Sequence, residues 1–304
     1  MKQTLDPVVA RTLDLGGPVH YADFGGPVGD GRTRPNIVLV HGLGGSHANW
    51  LAVGPALAER ARVVAPDLAG FGLTPLAGRS CRVEDNRALL SRFVDALFGT
   101  TERVILVGNS MGGLLSLLEA TTRPDRIEAL ILVDPTLPRA PGVPIDREVA
   151  LVFASYMLPV VGSLWLRRRA ATMTPEQSVA ETLRVCCVDP SRVPKDVVAA
   201  HVEIAKHRRT LPWANDAFLV AARSIVRTLL RHDRFVARLR AVRAPTLLIH
   251  GTGDRLVSIG LAHAAARLRP DWTLEVLDGV GHTPQLEDPV RFVAAVERFL
   301  DRLR

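Results

Sequence analysis

Six short, mostly apolar runs, each ending at or just before a glycine, histidine, proline or acidic residue, constrain this chain more than any other feature. They are Asn36–Val40, Arg62–Pro66, Arg103–Gly108, Ile127–Val133, Pro245–His250 and Thr273–Leu277. A continuous apolar run of five to seven residues is too short for a helix and suits a strand buried on both faces. Between the runs lie stretches with helical spacing: Ala48–Arg60, Val83–Phe98, Met111–Thr122 and Pro289–Leu303, the last with Pro289 in its first turn. Strands alternating with helices imply parallel pairing through right-handed crossovers, hence an α/β fold with a mostly parallel, doubly wound sheet. Its ligand site belongs at the carboxyl ends of the strands. Val8–Leu15 and Pro18–Phe24 add an N-terminal hairpin turning at Gly16-Gly17, followed by a polar, glycine-rich loop.

The alternation breaks once. From Asp134 to about Arg243 strand signals stop and helical patterns take over, at Pro175–Val188, Pro194–Arg208 and Trp213–His232. The organisation predicted is one core, residues 1–136 with 243–304, carrying an all-helical insertion, 137–242, on top of the sheet. At 47% hydrophobic and 23% charged residues the chain can bury a substantial core unaided.

Charge does not point to nucleic acid. The formal net charge is +7, but the 38 basic residues are scattered, and all except Lys2, Lys195 and Lys206 are arginine, as biased coding would give. Cys81, Cys186 and Cys187 are odd in number and lack metal-ligand spacing, which fits a reducing, cytoplasmic setting. Met1–Ala10 lacks the apolar core of a signal peptide, being interrupted by Asp6 and Pro7. The longest apolar stretch, Leu151–Leu166, contains Ser155, Pro159, Gly162 and Ser163 and is short for a membrane span.

The chemistry concentrates at the ends of the strand runs. Gly108-Asn109-Ser110-Met111-Gly112 joins an apolar run directly to a helical pattern. Such a turn must be tight, so glycines flank the serine where side chains would collide, and Ser110 is presented at a helix N-terminus. A serine hydroxyl needs a base. His282, on the loop after the last strand run, opens at the same edge of the sheet, whereas His201, His207, His232 and His263 fall on helical segments. The imidazole needs a carboxylate to fix its tautomer. Asp254 follows Pro245–His250 and gives the chain order serine, aspartate, histidine. Asp134 competes, but its loop leads into the insertion and has its own need for a turn or cap. The amides of Leu43, in His41-Gly42-Leu43-Gly44-Gly45, and of Met111 are candidates for an oxyanion hole. His41 has a simpler role open to it, holding that loop by a hydrogen bond.

Together these segments resemble the α/β-hydrolase family: HGLGGS at 41–46, Asp67-Leu68-Ala69-Gly70-Phe71-Gly72, GNSMGG at 108–113, GTGDRLV at 251–257 and GHTPQLEDP at 281–289. The resemblance spans residues 8–136 and 243–303 and implies that the insertion is the family's cap or lid. It implies no metal or organic cofactor. Family members that use an aspartate nucleophile, the haloalkane dehalogenases and epoxide hydrolases, are excluded by Ser110. Carbon–carbon hydrolases of meta-cleavage pathways share GNSMGG, with Asn109, but commonly carry tryptophan after the catalytic histidine, where this chain has Thr283.

The reaction implied is hydrolysis of a carboxylic ester with a medium-sized or hydrophobic acyl part, a small-molecule or lipid-like substrate. Carbon–carbon hydrolysis is the alternative, and a non-catalytic ligand-binding module or sensor the alternative of another class. Asn109, Phe153, Met157, Leu158 and Trp213 are candidate pocket residues, with Phe218 beside them. Leu151–Leu166, ending in Arg167-Arg168-Arg169, has two readings: a lid that binds acyl chains and touches a lipid surface through its basic end, or side chains that pack the insertion onto the core. Packing is the simpler one.

Overall fold

The structure, a computed structural model, describes residues 8–26 and 34–303. Most of the glycine-rich loop after the hairpin, and residues 1–7 of the N-terminal stretch, therefore lie outside the described residues. Eight strands form one sheet: β1 Val9–Asp14, β2 Pro18–Gly25, β3 Asn36–Val40, β4 Arg62–Pro66, β5 Val104–Asn109, β6 Ile127–Val133, β7 Thr246–Gly251 and β8 Thr273–Leu277. Their order is β1-β2-β4-β3-β5-β6-β7-β8. The hairpin pairs antiparallel to itself and to β4, and every later pairing is parallel. This is the α/β-hydrolase fold.

Successive side chains of a strand point to opposite faces, and the core divides accordingly. Val38 and Val40 of β3 join Val104 and Leu106 of β5 in one layer, while Ile37, Leu39, Ile105 and Val107 join the other. The first layer is covered by α2 Val83–Phe98, α3 Met111–Thr122 and α10 Ile259–Leu268, the second by α1 Gly54–Ala58 and α12 Pro289–Arg302. On α12, Phe292, Val296 and Phe299 recur at helical spacing and are buried against Trp50 and the strands. Each such side chain contributes roughly 1.5–3 kcal/mol of burial.

One helical expectation needs correction, and one apolar stretch proves to be divided. Ala48–Arg60 is a short 3-10 turn, His47–Trp50, then α1 alone. The reason is local: Ser46 caps the first turn with a reciprocal bond to Asn49, and Pro55 restarts the chain as a second helix. The stretch Leu151–Leu166 is also two helices, α4 Arg147–Met157 and α5 Pro159–Thr172, meeting at 110°. Leu158, which precedes a proline, leaves helical geometry with ψ 116°.

Between β6 and β7 the described residues contain no strand. After α4 and α5 come α6 Pro175–Cys186, α7 Lys195–Arg209, α8 Ala214–Leu230 and α9 His232–Ala241. A last short helix, α11 Pro284–Glu287, follows the His282 loop. No single helix among the described residues is long and apolar enough to cross a membrane.

Candidate active site

Ser110 occupies the turn between β5 and α3 with φ 54° and ψ −115°. A positive φ is costly for a side-chain-bearing residue and persists only where the surroundings enforce it. Here they do. Ser110 N–H donates to Val133 O at 3.0 Å, and Ser110 O accepts from Thr136 N at 3.1 Å and Leu114 N at 3.1 Å. The flanking glycines are obligatory: a Cβ on Gly108 would lie 2.3 Å from Gly112 O, and one on Gly112 would lie 2.0 Å from Val40 O. Thus α3 is pressed directly onto the end of β3, which brings Met111 and the 41–46 loop together.

That loop is fixed by His41. The buried imidazole donates from Nδ1 to Gly42 O at 2.8 Å and accepts Leu68 N–H at Nε2, 3.0 Å. Protonation would set a donor against the Leu68 amide, and burial drives the His41 pKa down to about 4 against the pull of Asp67. Asp67 ties down the far side, accepting from the amides of His47 at 2.6 Å and Leu73 at 2.8 Å and from the Nδ1 atoms of His20 and His47, both 3.0 Å away. Burial alone would raise its pKa, but the two imidazoles outweigh it and hold it lowered. These three side chains could offer metal-ligand atoms within 4.8 Å of one another. Four donors already satisfy the carboxylate, so the cluster is complete as a hydrogen-bonded brace. Neither Leu43 N–H nor Met111 N–H, the proposed oxyanion donors, is engaged by another group among the described residues.

His282 and Asp254 meet behind the cavity wall. His282 Nδ1 lies 2.7 Å from Asp254 Oδ2, while Asp254 Oδ1 accepts from Leu256 N at 2.8 Å and Val257 N at 3.0 Å. Burial works to raise the Asp254 pKa, yet His282, His250 and the Val257 amide together lower it. Asp134 also reaches this centre. Its φ is 42°, Oδ1 accepts Gly251 N–H at 3.0 Å, and a carboxylate oxygen lies within 4.8 Å of the Asp254 and His282 ligand atoms. Asp134 is fully buried, and Oδ2 has no hydrogen-bond partner among the described residues. Burial first, and the neighbouring Asp254 charge second, push its pKa well above the ordinary carboxylate range.

Ser110 and His282 line one cavity of about 1120 Å³, together with Leu43 and Asn109. Asn109 contributes little surface, because its Nδ2 donates to Val133 O at 3.1 Å and His282 O at 2.9 Å. It thereby links the serine turn to the histidine loop. Of the candidate pocket residues, Phe153, Met157 and Phe218 lie on the wall, and Leu158 and Trp213 do not. Leu158 sits at the α4–α5 bend and is 55% exposed, and Trp213, just before α8, packs against the core layer below. The wall also includes Tyr156, Trp165 and Leu166. Tyr156 is buried edge-on against Phe153, Trp165 and Phe218, an arrangement that depends on the bend and left no periodic signal in the sequence.

A contact that sequence reasoning missed joins the helical segment to the histidine loop. His282 N–H donates to Cys186 O, at the end of α6, at 2.6 Å. Glu287, buried on α11, accepts from the amides of Val188 at 3.1 Å, Asp189 at 2.7 Å and Gly281 at 2.7 Å. Burial pushes the Cys187 thiol up to about 11, so its sulfur is no nucleophile there.

With this geometry established, comparison with known proteins gives the class. A model of the alpha/beta hydrolase family matches residues 37–296, and the chain belongs to that family of enzymes. It is 31% identical to a 2-hydroxy-6-oxo-2,4-heptadienoate hydrolase of Pseudomonas putida, over 87% of this chain and 88% of the relative. It is 30% identical to a pimeloyl-[acyl-carrier protein] methyl ester esterase of Aromatoleum aromaticum, over 87% and 97%. Among solved structures, a meta-cleavage product hydrolase from Pseudomonas fluorescens superposes with TM-score 0.74 at 22% identity, covering 98% of this chain and 99% of that one.

Proposed function

We propose that the chain hydrolyses a carboxylic ester with a medium-sized or hydrophobic acyl group, using Ser110, His282 and Asp254. The observation that carries this reading is the imidazole bonded at Nδ1 to a buried carboxylate and sharing a cavity wall with a strained serine. Ser110 Oγ attacks the ester carbonyl while His282 Nε2 takes its proton, and the Leu43 and Met111 amides receive the oxyanion. His282 returns the proton to the departing alkoxide. Water, deprotonated by the same imidazole, then releases the acid from Ser110. Asp254 steadies the imidazolium without accepting its proton.

Residues 137–242 serve as the cap, and their aromatic wall over Ser110 favours an apolar acyl group. The three free thiols fit a reducing, cytoplasmic setting. Ser110→Ala or His282→Ala should lower kcat on p-nitrophenyl esters by on the order of 10⁶. Ester turnover unchanged in either variant refutes the assignment.

Carbon–carbon hydrolysis is the second reading, favoured by the likeness to the heptadienoate hydrolase and by Asn109. Preference for a vinylogous diketone acid over aryl esters would select it. A fluorophosphonate that fails to label Ser110 would instead favour a binding module or sensor.

A further inference from the structure

The α4–α5 pair is apolar on two opposed sides, which a helix needs only when both sides lose water. One side faces the cavity through Phe153, Met157, Trp165 and Leu166. The other faces out: Leu151 is 72%, Val160 69% and Leu164 60% exposed, with Val161 and Leu158 beside them. Of the fifteen large apolar side chains exposed among the described residues, five, Leu151, Leu158, Val160, Val161 and Leu164, fall within residues 151–164 and off the cavity wall. Scattered exposed leucines need no explanation, but a contiguous patch does.

The charge around the patch selects its occupant. Arg167 and Arg168 are exposed on the next turn of α5, and neither has an ion-pair partner among the described residues. Arg169 lies over the Trp165 ring at 5.6 Å. The only acids in residues 137–172 are already engaged, Glu148 by Arg255 at 2.7 Å and Asp146 by Arg255 at 3.4 Å. A second copy of the chain, docking this face on itself, would bring arginines together with no free carboxylate to receive them. An anionic lipid surface satisfies both the apolar side chains and the arginines. Helices of 11 and 14 residues reach only about 16 and 21 Å, short of a bilayer core, and their 110° bend lets them lie flat.

We propose that the outer face of α4–α5 docks on anionic membranes, with Leu151, Val160 and Leu164 entering the headgroup boundary and Arg167 and Arg168 on lipid phosphates. One helix layer then separates the lipid from the cavity that Ser110 lines. The proposal goes beyond ester hydrolysis and does not depend on it, since Ser110→Ala docks as the parent does.

The test is co-sedimentation of the full chain with phosphatidylcholine vesicles, with and without about one-third phosphatidylglycerol. The parent should sediment with the anionic vesicles, less with phosphatidylcholine alone, and less at high salt. Leu151→Glu/Val160→Glu/Leu164→Glu should lower the partition at least about tenfold, and Arg167→Glu/Arg168→Glu should erase the lipid preference. None of the five residues lies on the cavity wall, so thermal melting should change little, and the arginine pair decides the matter should the triple variant fail to fold. Failure of the parent to bind anionic vesicles, or equal binding by the arginine variant, overturns the proposal. So does a dimer in gel filtration that the glutamates split while no vesicle binding occurs, which would make the face a contact between copies.

Discussion

At the scale of single residues the centre holds two aspartates whose pKa values are pushed in opposite directions. Asp254 touches the imidazole, which lowers its pKa, whereas Asp134 is buried, has no hydrogen-bond partner at Oδ2 among the described residues, and has its pKa raised by burial and by Asp254. Asp254→Asn should therefore cost about 10⁴ in kcat, as in other triads, and Asp134→Asn no more than a few-fold. Equal losses would reassign the acid. Stability should move the other way at Asp134. A carboxyl whose folded pKa is raised is penalised as pH climbs from the ordinary carboxylate range through that raised value, because the unfolded chain can ionise there. Asp134→Asn removes the penalty and keeps an oxygen for Gly251 N–H. Its melting temperature should exceed the parent's at neutral pH, and the gain should shrink on acidification. A second residue-scale prediction concerns Glu287, which acts through the His282 loop. Glu287→Ala strands three amides at about 1–3 kcal/mol each, so melting should fall. With the loop loosened, kcat should fall more than KM rises; an unchanged kcat in folded Glu287→Ala would confine Glu287 to a structural part.

Among the elements, the contact of α3 on β3 decides whether a nucleophile exists at all. A methyl on Gly112 would meet Val40 O at 2.0 Å, and no side chain can yield there because the obstacle is backbone. Gly112→Ala should cost about 1–3 kcal/mol or more and abolish labelling of Ser110 by a fluorophosphonate even where the chain folds. Full labelling would mean that the turn tolerates a displaced helix. The same contact explains what was legible in the sequence. Central strands such as Asn36–Val40 and Ile127–Val133 are readable to the residue because burial on both faces leaves each only one polar position, Asn36 and Glu128, at or near its first residue. Ser110, His282 and Asp254 were readable because each sits where such a strand stops. Within the insertion α6, α7 and α8 were legible, but α4, α5 and their arrangement were not: Leu151–Leu166 reads as one apolar stretch, and only the bend at Leu158 sorts Tyr156 inward and Leu158 outward. The Cys186 and Glu287 contacts pair residues about a hundred positions apart through backbone groups, which carry no residue-type signal.

Over the whole molecule, the helical segment proposed as the cap and the core enclose one space, and under the proposed function its size sets the substrate. At about 1120 Å³ it lies at the upper end for small-molecule sites, and Phe153, Tyr156, Trp165 and Phe218 cluster on its wall. Each methylene of an acyl chain that replaces water against such a wall contributes about 0.8 kcal/mol, roughly fourfold in kcat/KM if the contact is kept in the transition state. Across p-nitrophenyl esters of increasing chain length, kcat/KM should climb by about that factor per carbon until the chain meets the far wall, then drop. Phe153→Trp, which fills part of the cavity, should move the optimum to a shorter chain and leave the shortest ester's rate within about twofold. A flat profile, or an optimum that Phe153→Trp does not move, would mean that the acyl chain does not lie under the cap and that the apolar wall packs the cap instead of measuring the substrate.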